Sequence, residues 1–141
     1  MSESNEPASF FDAEVYLRWG DMDSLGHVNN VTHLRLLEEG RSRFFSQLGY
    51  HDEVDFGMVT GRHEVDYRKP LYYSLEPVTV RCSVARLGTS AFTLRCQTRD
   101  QNGEPVVDSL TVIIITTLDG AASQPIPDRV RQALLPYLSE G

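Results

Sequence analysis

The sequence predicts one α+β domain in which an antiparallel sheet of about five strands packs against one long helix. Its 141 residues leave room for one hydrophobic core of ordinary size. A first strand is followed by one segment of helical period and then by a series of segments of period two. Because strands that come in a run after a helix are typical of α+β folds, we expect hairpins and not parallel crossovers.

The first expected element is a strand over residues 13–19. Its side chains alternate between apolar and polar, which is the pattern of a strand with one buried face. A polar loop over 20–27 then separates this strand from the helix. The expected buried face of the strand consists of Val15, Leu17 and Trp19.

The second expected element is a helix that begins at Asn29 and Asn30 and ends near Gly49. Asparagine is a favoured N-cap residue, and glycine closes many helices because it adopts the left-handed conformation easily. We expect roughly eighteen to twenty helical residues. Gly40 lies inside this helix, where close approach to a packed sheet would compensate its low helix propensity. The apolar face of the helix consists of Val31, Leu34, Leu37, Phe44, Phe45 and Leu48.

Further strands follow an acidic loop at 50–57. Turn-forming residues separate them, including Asn102-Gly103, which is a strong hairpin signal. The last strand is apolar on both faces at Val112–Ile115, which predicts a central place in the sheet. A short helix over 128–138 ends the domain. The expected strands cover residues 59–67, 78–84, 92–98 and 106–117.

The balance of helix and sheet also predicts an assembly. One long helix cannot cover both faces of a five-stranded sheet, so part of a face and an edge are left over. An exposed sheet edge is a template for pairing with another chain. We therefore expect a homo-oligomer, either a dimer or a tetramer.

The two cysteines are Cys82 and Cys96. If the turn between their strands is centred near Thr89, the two side chains face each other across neighbouring strands. Two cysteines do not form a disulfide framework. We interpret them as core thiols, with oxidation to a bridge as the alternative.

Charge is unevenly distributed along the chain. The net charge of −7 comes from 20 acidic and 13 basic residues, and it disfavours a sequence-independent nucleic-acid binder. Residues 1–55 contain eleven acidic and four basic residues, a net −7. Residues 62–99 contain seven basic and three acidic residues, a net +4. An acidic protein can therefore still offer a local site to an anion.

Targeting signals are not recognised in the sequence. No apolar run approaches the ~20 residues of a membrane helix, and the first nine residues are polar and acidic. We expect a cytoplasmic protein with no membrane partner. The expected organisation is a flexible tail over 1–11 and a single domain over 12–141.

The loop from Asp21 to Asn30 has the densest cluster of functional groups. It contains carboxylates, an imidazole, a hydroxyl and amides directly before a helix N-terminus, whose amides favour developing negative charge. A carboxylate beside such a helix end is a workable acyl-transfer site. The simpler interpretation is that Asp21, Asp23 and His27 are turn residues.

Metal sites fit this loop poorly. A calcium loop would need oxygen ligands where Leu25 and Thr32 stand. A zinc site at His27 and His33 is also disfavoured, because the two lie six residues apart with no cysteine nearby. We expect neither a metal nor a cofactor.

Extended motifs make the loop more specific. The segment Trp19–Asn30 and the following Leu34–Arg41 resemble the signature of hot-dog fold acyl-CoA thioesterases of the 4-hydroxybenzoyl-CoA thioesterase type. Three weaker segments agree in order, and the resemblance spans roughly residues 12–130. The weaker segments are Glu64–Leu71, Arg86–Ser90 and Pro125–Pro127.

The resemblance implies a sheet wrapped around the central helix, at least a dimer, and active sites at the dimer interface. It implies that Asp23 acts as nucleophile or general base on the thioester carbonyl, with His27 beside it. The helix start around Asn29 and Asn30 would supply amides that polarise that carbonyl. The hydroxybenzoyl enzyme has aromatic residues at those two positions, so this chain departs from it in a way that argues against an aromatic acyl group.

The same resemblance implies where the substrate is held. Coenzyme A would enter as part of the substrate and not as a cofactor, with a carrier-protein thioester as the other possible substrate. The basic turn of the family is thinner in this chain. The residues expected to bind substrate are Asp21, Arg62, Arg68, Arg86, Thr89 and Ser90.

Two other functions remain open from the sequence. A hydratase or dehydratase on the same fold would act on acyl thioesters, but the motif that carries its histidine base is absent. A non-catalytic acyl-CoA sensor is the other possibility, because a fold alone does not determine function.

Overall fold

The computed structural model describes residues 9–50 and 55–139. Its first strand leads through a short 3₁₀ turn into the long helix, and the remaining strands and a short helix follow. The strands are β1 (Phe11–Val15), β2 (Gly57–Tyr67), β3 (Val78–Leu87), β4 (Ala91–Arg99) and β5 (Pro105–Thr116). The helices are α1 (Asn30–Gln47) and α2 (Asp128–Leu134), with 3₁₀ turns at Trp19–Asp21 and Leu135–Tyr137.

All five strands form one sheet in the order β1-β3-β4-β5-β2, and every neighbouring pair is antiparallel. The predicted α+β class and five-stranded antiparallel sheet are therefore confirmed. The predicted central place of the last strand is also correct, because β5 lies between β4 and β2. β1 and β2 are the two edges, and β2 is the longer, with 11 residues.

Helix α1 packs on the β1, β3 and β4 side of the sheet. Its buried face is formed by Leu36, Leu37, Gly40 and Phe44. Gly40 lies directly against Val80 of β3, so a Cβ added at Gly40 would come within 2.8 Å of the Val80 Cβ. The expected compensation for a helical glycine is thus a close helix-to-sheet contact.

Replacing Gly40 by alanine is expected to destabilise the fold by about 1–3 kcal/mol. The clash with Val80 outweighs the roughly 1 kcal/mol that alanine gains in helix propensity. Urea unfolding of the variant measures the loss. The double variant Gly40→Ala/Val80→Ala, which makes room for the added methyl, should recover part of it, and no recovery would contradict the packing argument.

Two predicted apolar faces were wrong in part. β1 ends at Val15, and the chain leaves the sheet before Trp19, whose side chain is 75% exposed. Trp19 packs edge-on against Tyr73 instead. On α1, Val31 and Leu34 are exposed because they lie on the side of the helix turned away from the core.

The predicted helix over 128–138 changes to a 3₁₀ turn at Leu135, where Pro136 cannot donate an α-helical hydrogen bond.

The ends of the expected domain fall partly outside the described residues. Residues 1–8 of the expected tail and 51–54 of the acidic loop are not among them. Phe11 pairs with Cys82, so the sheet includes the last residue of that expected tail. No described helix is long and apolar enough to span a membrane. The cytoplasmic location stays a prediction.

The cysteines face each other as predicted. Cys82 and Cys96 are directly opposite in the β3–β4 pair, both are buried, and their Sγ atoms are 3.1 Å apart. The hydrogen bond with Cys96, together with burial, holds the pKa of the Cys82 thiol well above its usual value. Both residues are free thiols in this structure, which agrees with their interpretation as core side chains.

Candidate active site

The loop before α1 is a tight turn built around Asp23. The Asp23 amide donates to the carbonyl of His27 at 2.7 Å, and the Gly26 amide donates to the carbonyl of Asp23 at 3.1 Å. Gly26 has a φ of +81°, a conformation that favours glycine. The Asp23 Oδ1 accepts from the amides of Leu25 (2.9 Å) and His27 (3.2 Å). Oδ2 has no hydrogen bond within the described chain, so it is available to a substrate.

Asp21 has a different role from the one expected. It is only 3% exposed, and its Oδ2 accepts from Arg35 Nη2 at 2.9 Å and from the Arg18 amide at 2.7 Å. Its own carbonyl accepts from the Asn29 amide at 3.3 Å. Asp21 therefore ties the loop to α1 and does not line the pocket described below. Its expected contact with substrate has no support in this geometry.

Replacing Asp21 by alanine is expected to cost about 2–3 kcal/mol in unfolding free energy, because two hydrogen bonds to a buried carboxylate are lost. Denaturant unfolding at fixed protein concentration measures this. Asp12→Ala is the matched control, since Asp12 pairs with Arg81 through two hydrogen bonds at a more exposed place. That variant should lose less than about 1 kcal/mol. Equal losses would contradict the buried role of Asp21.

The start of α1 is capped as the sequence predicts. Asn29 is the N-cap, and its side-chain oxygen accepts from the Thr32 amide at 2.8 Å. Its carbonyl accepts from the His33 amide at 3.1 Å. The amides of Asn30 and Val31 precede these and have no partner among residues 9–50 and 55–139. Two backbone donors at the positive end of an 18-residue helix thus point toward the loop.

A pocket of about 510 Å³ joins these groups. Four of the expected catalytic residues line it together, and Arg68, from the expected binding set, lines it too. The His27 ring packs edge-on against Tyr72, with ring centroids 4.9 Å apart. The lining consists of Asp23, His27, Val28, Asn29, Asn30, His33, Tyr67, Arg68, Lys69 and Pro70.

Hydrogen bonds alone do not distinguish Asp23 from a turn residue. Asp100 makes the same pattern, since its Oδ1 accepts from the amides two and four residues later at 2.9 and 3.0 Å. Asp100 lies in the β4–β5 hairpin, and its other oxygen pairs with Lys69 at 3.0 Å. What sets Asp23 apart is its place in a pocket beside a helix N-terminus.

The other expected binding residues are not brought to this pocket. The loop follows Val15, which pairs with Val78 at the first residue of β3. Arg86, Thr89 and Ser90 lie at the far end of β3, a ten-residue strand, about 30 Å away. In one chain, the acidic loop and the basic turn therefore lie at opposite ends of the sheet.

Arg62 and Arg68 both have acidic partners. Arg62, in the middle of β2, pairs with Glu64 at 2.8 Å. Arg68, at the pocket, pairs with Asp108. Any contact of these residues with an anionic substrate would compete with the existing ion pairs.

The sequence did not identify three residues that contribute to the pocket or to the basic turn at Arg86–Ser90. His33 and Tyr67 line the pocket, and their rings are in edge-on contact at 5.7 Å. The signal for His33 was its spacing, because residues three apart on a helix share a face and Asn30 had already been identified. Arg131 of α2 donates to the Gly88 carbonyl at 2.6 Å, which adds a second arginine to the basic turn. No local motif marks it.

Within the part of the chain that the structure describes, no three or more His, Cys, Asp or Glu side chains are grouped as metal ligands. The pocket lining offers a carboxylate, the free amide of Asn30 and a buried imidazole, and the free Val31 amide is next to Asn30 in the helix.

Comparison with known proteins identifies the family. The model of the thioesterase-like superfamily matches residues 17–134. A predicted thioesterase from Bacillus stearothermophilus has a similar structure, with a TM-score of 0.83 and 30% identity over 94% of this chain and 99% of that one. A thioesterase from Thermus thermophilus, complexed with coenzyme A and Zn, is also similar. Its TM-score is 0.73 and its sequence identity is 31%, over 87% of this chain and 90% of that one.

A curated relative agrees in extent. The uncharacterized protein YsmA of Bacillus subtilis (strain 168) is 28% identical over 129 residues, which cover 90% of this chain and 86% of YsmA. The family match spans most of the described fold and includes both the loop and α1. The chain therefore belongs to the thioesterase-like superfamily and is a thioester hydrolase of the hot-dog fold.

Proposed function

We propose that the protein hydrolyses acyl-CoA thioesters, with Asp23 as the reacting carboxylate. One observation carries this proposal: an exposed aspartate with a free Oδ2 lines the same pocket as the start of α1, where the Asn30 amide has no partner among the described residues. Coenzyme A is favoured as the carrier because a relative of 31% identity was solved in complex with it.

The chemistry follows from the charges in the pocket. The thioester carbonyl would accept hydrogen bonds from the Asn30 and Val31 amides, which stabilise the oxyanion as it forms. Asp23 would either attack the carbonyl carbon or take a proton from the attacking water. If Asp23 attacks, the C–S bond breaks to leave a thiolate and a mixed anhydride between the acyl group and Asp23, and water then hydrolyses the anhydride to the carboxylic acid and free Asp23. If Asp23 takes the proton from the attacking water, the C–S bond of the tetrahedral intermediate breaks and gives the carboxylic acid directly. In both cases the thiolate takes up a proton and leaves as the free thiol.

The complete site would need a second chain. β2 is an edge strand whose side chains are mostly exposed, including Val59 (43%) and Tyr67 (44%). If two β2 strands paired in antiparallel fashion, the two-fold axis would reverse the second sheet end for end. The basic turn of one chain would then lie on the same side as the Asp23 loop of the other.

This arrangement would give the basic turn a function. Arg86, Thr89 and Ser90 of one chain would bind the coenzyme A phosphates while Asp23 of the other chain acts on the thioester. Arg131 would hold the turn in shape through its hydrogen bond to Gly88. Arginine suits this role because its fork of N–H donors matches phosphate oxygens.

The test is release of free thiol from a panel of acyl-CoAs of different chain length, with the matching acyl N-acetylcysteamine thioesters beside them. Turnover of acyl-CoAs, with weaker turnover of the truncated thioesters, is the expected result. Tight acyl-CoA binding with no turnover of any thioester would instead support a sensor. An enoyl-CoA in the same panel that gains one water and keeps its thioester would support the hydratase.

A further inference from the structure

His33 is a buried histidine in the candidate active site that no step above uses. Its side chain is on the first full turn of α1 and only 3% exposed. It lines the pocket with Asp23 and Asn30. Its Nδ1 is buried with no hydrogen-bond partner among the described residues. Tyr67 covers one edge of the ring, and the Tyr67 hydroxyl is 3.4 Å from the Asn30 carbonyl, to which it donates.

Burial also favours the neutral form of this ring. Desolvation lowers the pKa of His33 below the usual value of a histidine. A neutral imidazole presents one donor and one acceptor nitrogen. Because the Nδ1 is closed to solvent, a ligand in the pocket would meet the other ring nitrogen, Nε2, which also has no hydrogen-bond partner among the described residues.

The position of the ring indicates which part of a substrate it would meet. His33 is three residues beyond Asn30, about 4.5 Å along the helix axis, and helical side chains lean back toward the N-terminus. The ring therefore lies close to the amides proposed to bind the thioester carbonyl. The nucleotide of coenzyme A is bulky and must extend from the pocket toward solvent. A buried side chain on the helix would therefore face the acyl group, on the other side of the thioester carbonyl.

We propose that His33 is a specificity residue that hydrogen-bonds to a hydroxyl oxygen on the acyl group, within about three bonds of the thioester carbon. This inference rests on the proposed function and names its substrate class: short acyl thioesters with a hydroxyl near the carbonyl. Aliphatic acyl groups of this kind fit a pocket whose loop positions Asn29 and Asn30 are amides and not aromatic rings.

The test compares 3-hydroxybutyryl-CoA, as both enantiomers, with butyryl-CoA. The wild type should favour one hydroxylated enantiomer in kcat/KM by about tenfold or more, because a site that pairs with a hydroxyl discriminates against an analogue without one. His33→Phe should bring that ratio close to one. His33→Gln, which keeps a polar atom near the Nε2 position, should retain part of it. The dissociation constants of the same acyl-CoAs are measured on Asp23→Asn, which should bind them with little hydrolysis. Their ratio shows whether the preference arises in binding or in turnover.

Thr98→Val is the matched control. The Thr98 Oγ1 is also buried without a hydrogen-bond partner among the described residues, but Thr98 does not line the pocket, so its replacement should leave the substrate ratio unchanged. Hydrolysis of both substrates with equal efficiency by the wild type would overturn the inference while leaving the proposed function standing. An unchanged preference in folded His33→Phe would also overturn it. Absence of both binding and hydrolysis of any acyl-CoA would overturn both.

Discussion

Asp23→Asn is expected to lower kcat for acyl-CoA hydrolysis by about a thousandfold, within the roughly 10²–10⁴ range typical of a lost acid–base group. An amide can neither attack the thioester carbon nor take a proton from water. It can still accept hydrogen bonds from Leu25 and His27 through one oxygen, so the loop should keep its shape. Thiol release under saturating substrate measures kcat directly.

Asp100→Asn is the matched control for that loss. Asp100 accepts hydrogen bonds from amides at the same two spacings as Asp23, but it lies in a hairpin and does not line the pocket. Its ion pair is with Lys69, which lines the pocket and also pairs with Glu104, so Lys69 keeps an acidic partner in Asp100→Asn. If the substitution acts only by disturbing an aspartate turn, Asp23→Asn and Asp100→Asn should lose similar stability and similar kcat. If Asp100→Asn lowered kcat as much as Asp23→Asn, the catalytic role of Asp23 would be refuted.

Leu34→Glu is expected to raise the dimer dissociation constant about tenfold or more, because a charged group replaces apolar surface at the proposed interface, a loss that Arg35 and Arg41 in the same groove offset in part. Leu34 is 38% exposed and lines a groove of about 400 Å³ between α1 and β2, with Val31, Thr60 and His63. That groove borders the edge through which two chains are proposed to pair. Sedimentation over a range of concentrations measures the constant, and activity should fall in parallel with the dimer.

Leu135→Glu provides a comparison of similar exposure. Leu135 is 42% exposed and lies in the 3₁₀ turn that packs against β3, three strands away from β2. Its replacement should leave both the dimer and the activity near wild type. Leu34→Glu that stays dimeric and active would show that the groove is not part of an interface.

The fold was predictable because its signals are local. Alternation marks the strands, Asn29 caps α1, and Asn102-Gly103 turns the chain between β4 and β5. The pairing of Cys82 with Cys96 also followed from the position of a single turn. The exposure of Leu34 and Val31 could not be predicted in the same way. Helical period identifies an apolar face of a helix, but it does not show whether the chain's own sheet covers that face.

The site was predictable only where it is contiguous in sequence. Asp23 and the cap at Asn29 come from one loop, and the structure brings them into one pocket. Asp21 looked equivalent to Asp23 by type and spacing, and only its tertiary partner Arg35 distinguishes the two. Arg86 was expected to bind substrate, but its distance from the loop within one chain was not predictable, because no sequence pattern reports which end of a sheet a turn occupies.

The central claim is that each active site combines Asp23 of one chain with Arg86 of another, and hybrid dimers test it most directly. Asp23→Asn and Arg86→Glu proteins, each nearly inactive at low acyl-CoA concentration, are unfolded together, refolded at equal amounts and assayed. Half of the dimers are then hybrids with one complete site, so activity should recover to about a quarter of wild type. Recovery no greater than the average of the two separately refolded variants would contradict the shared site.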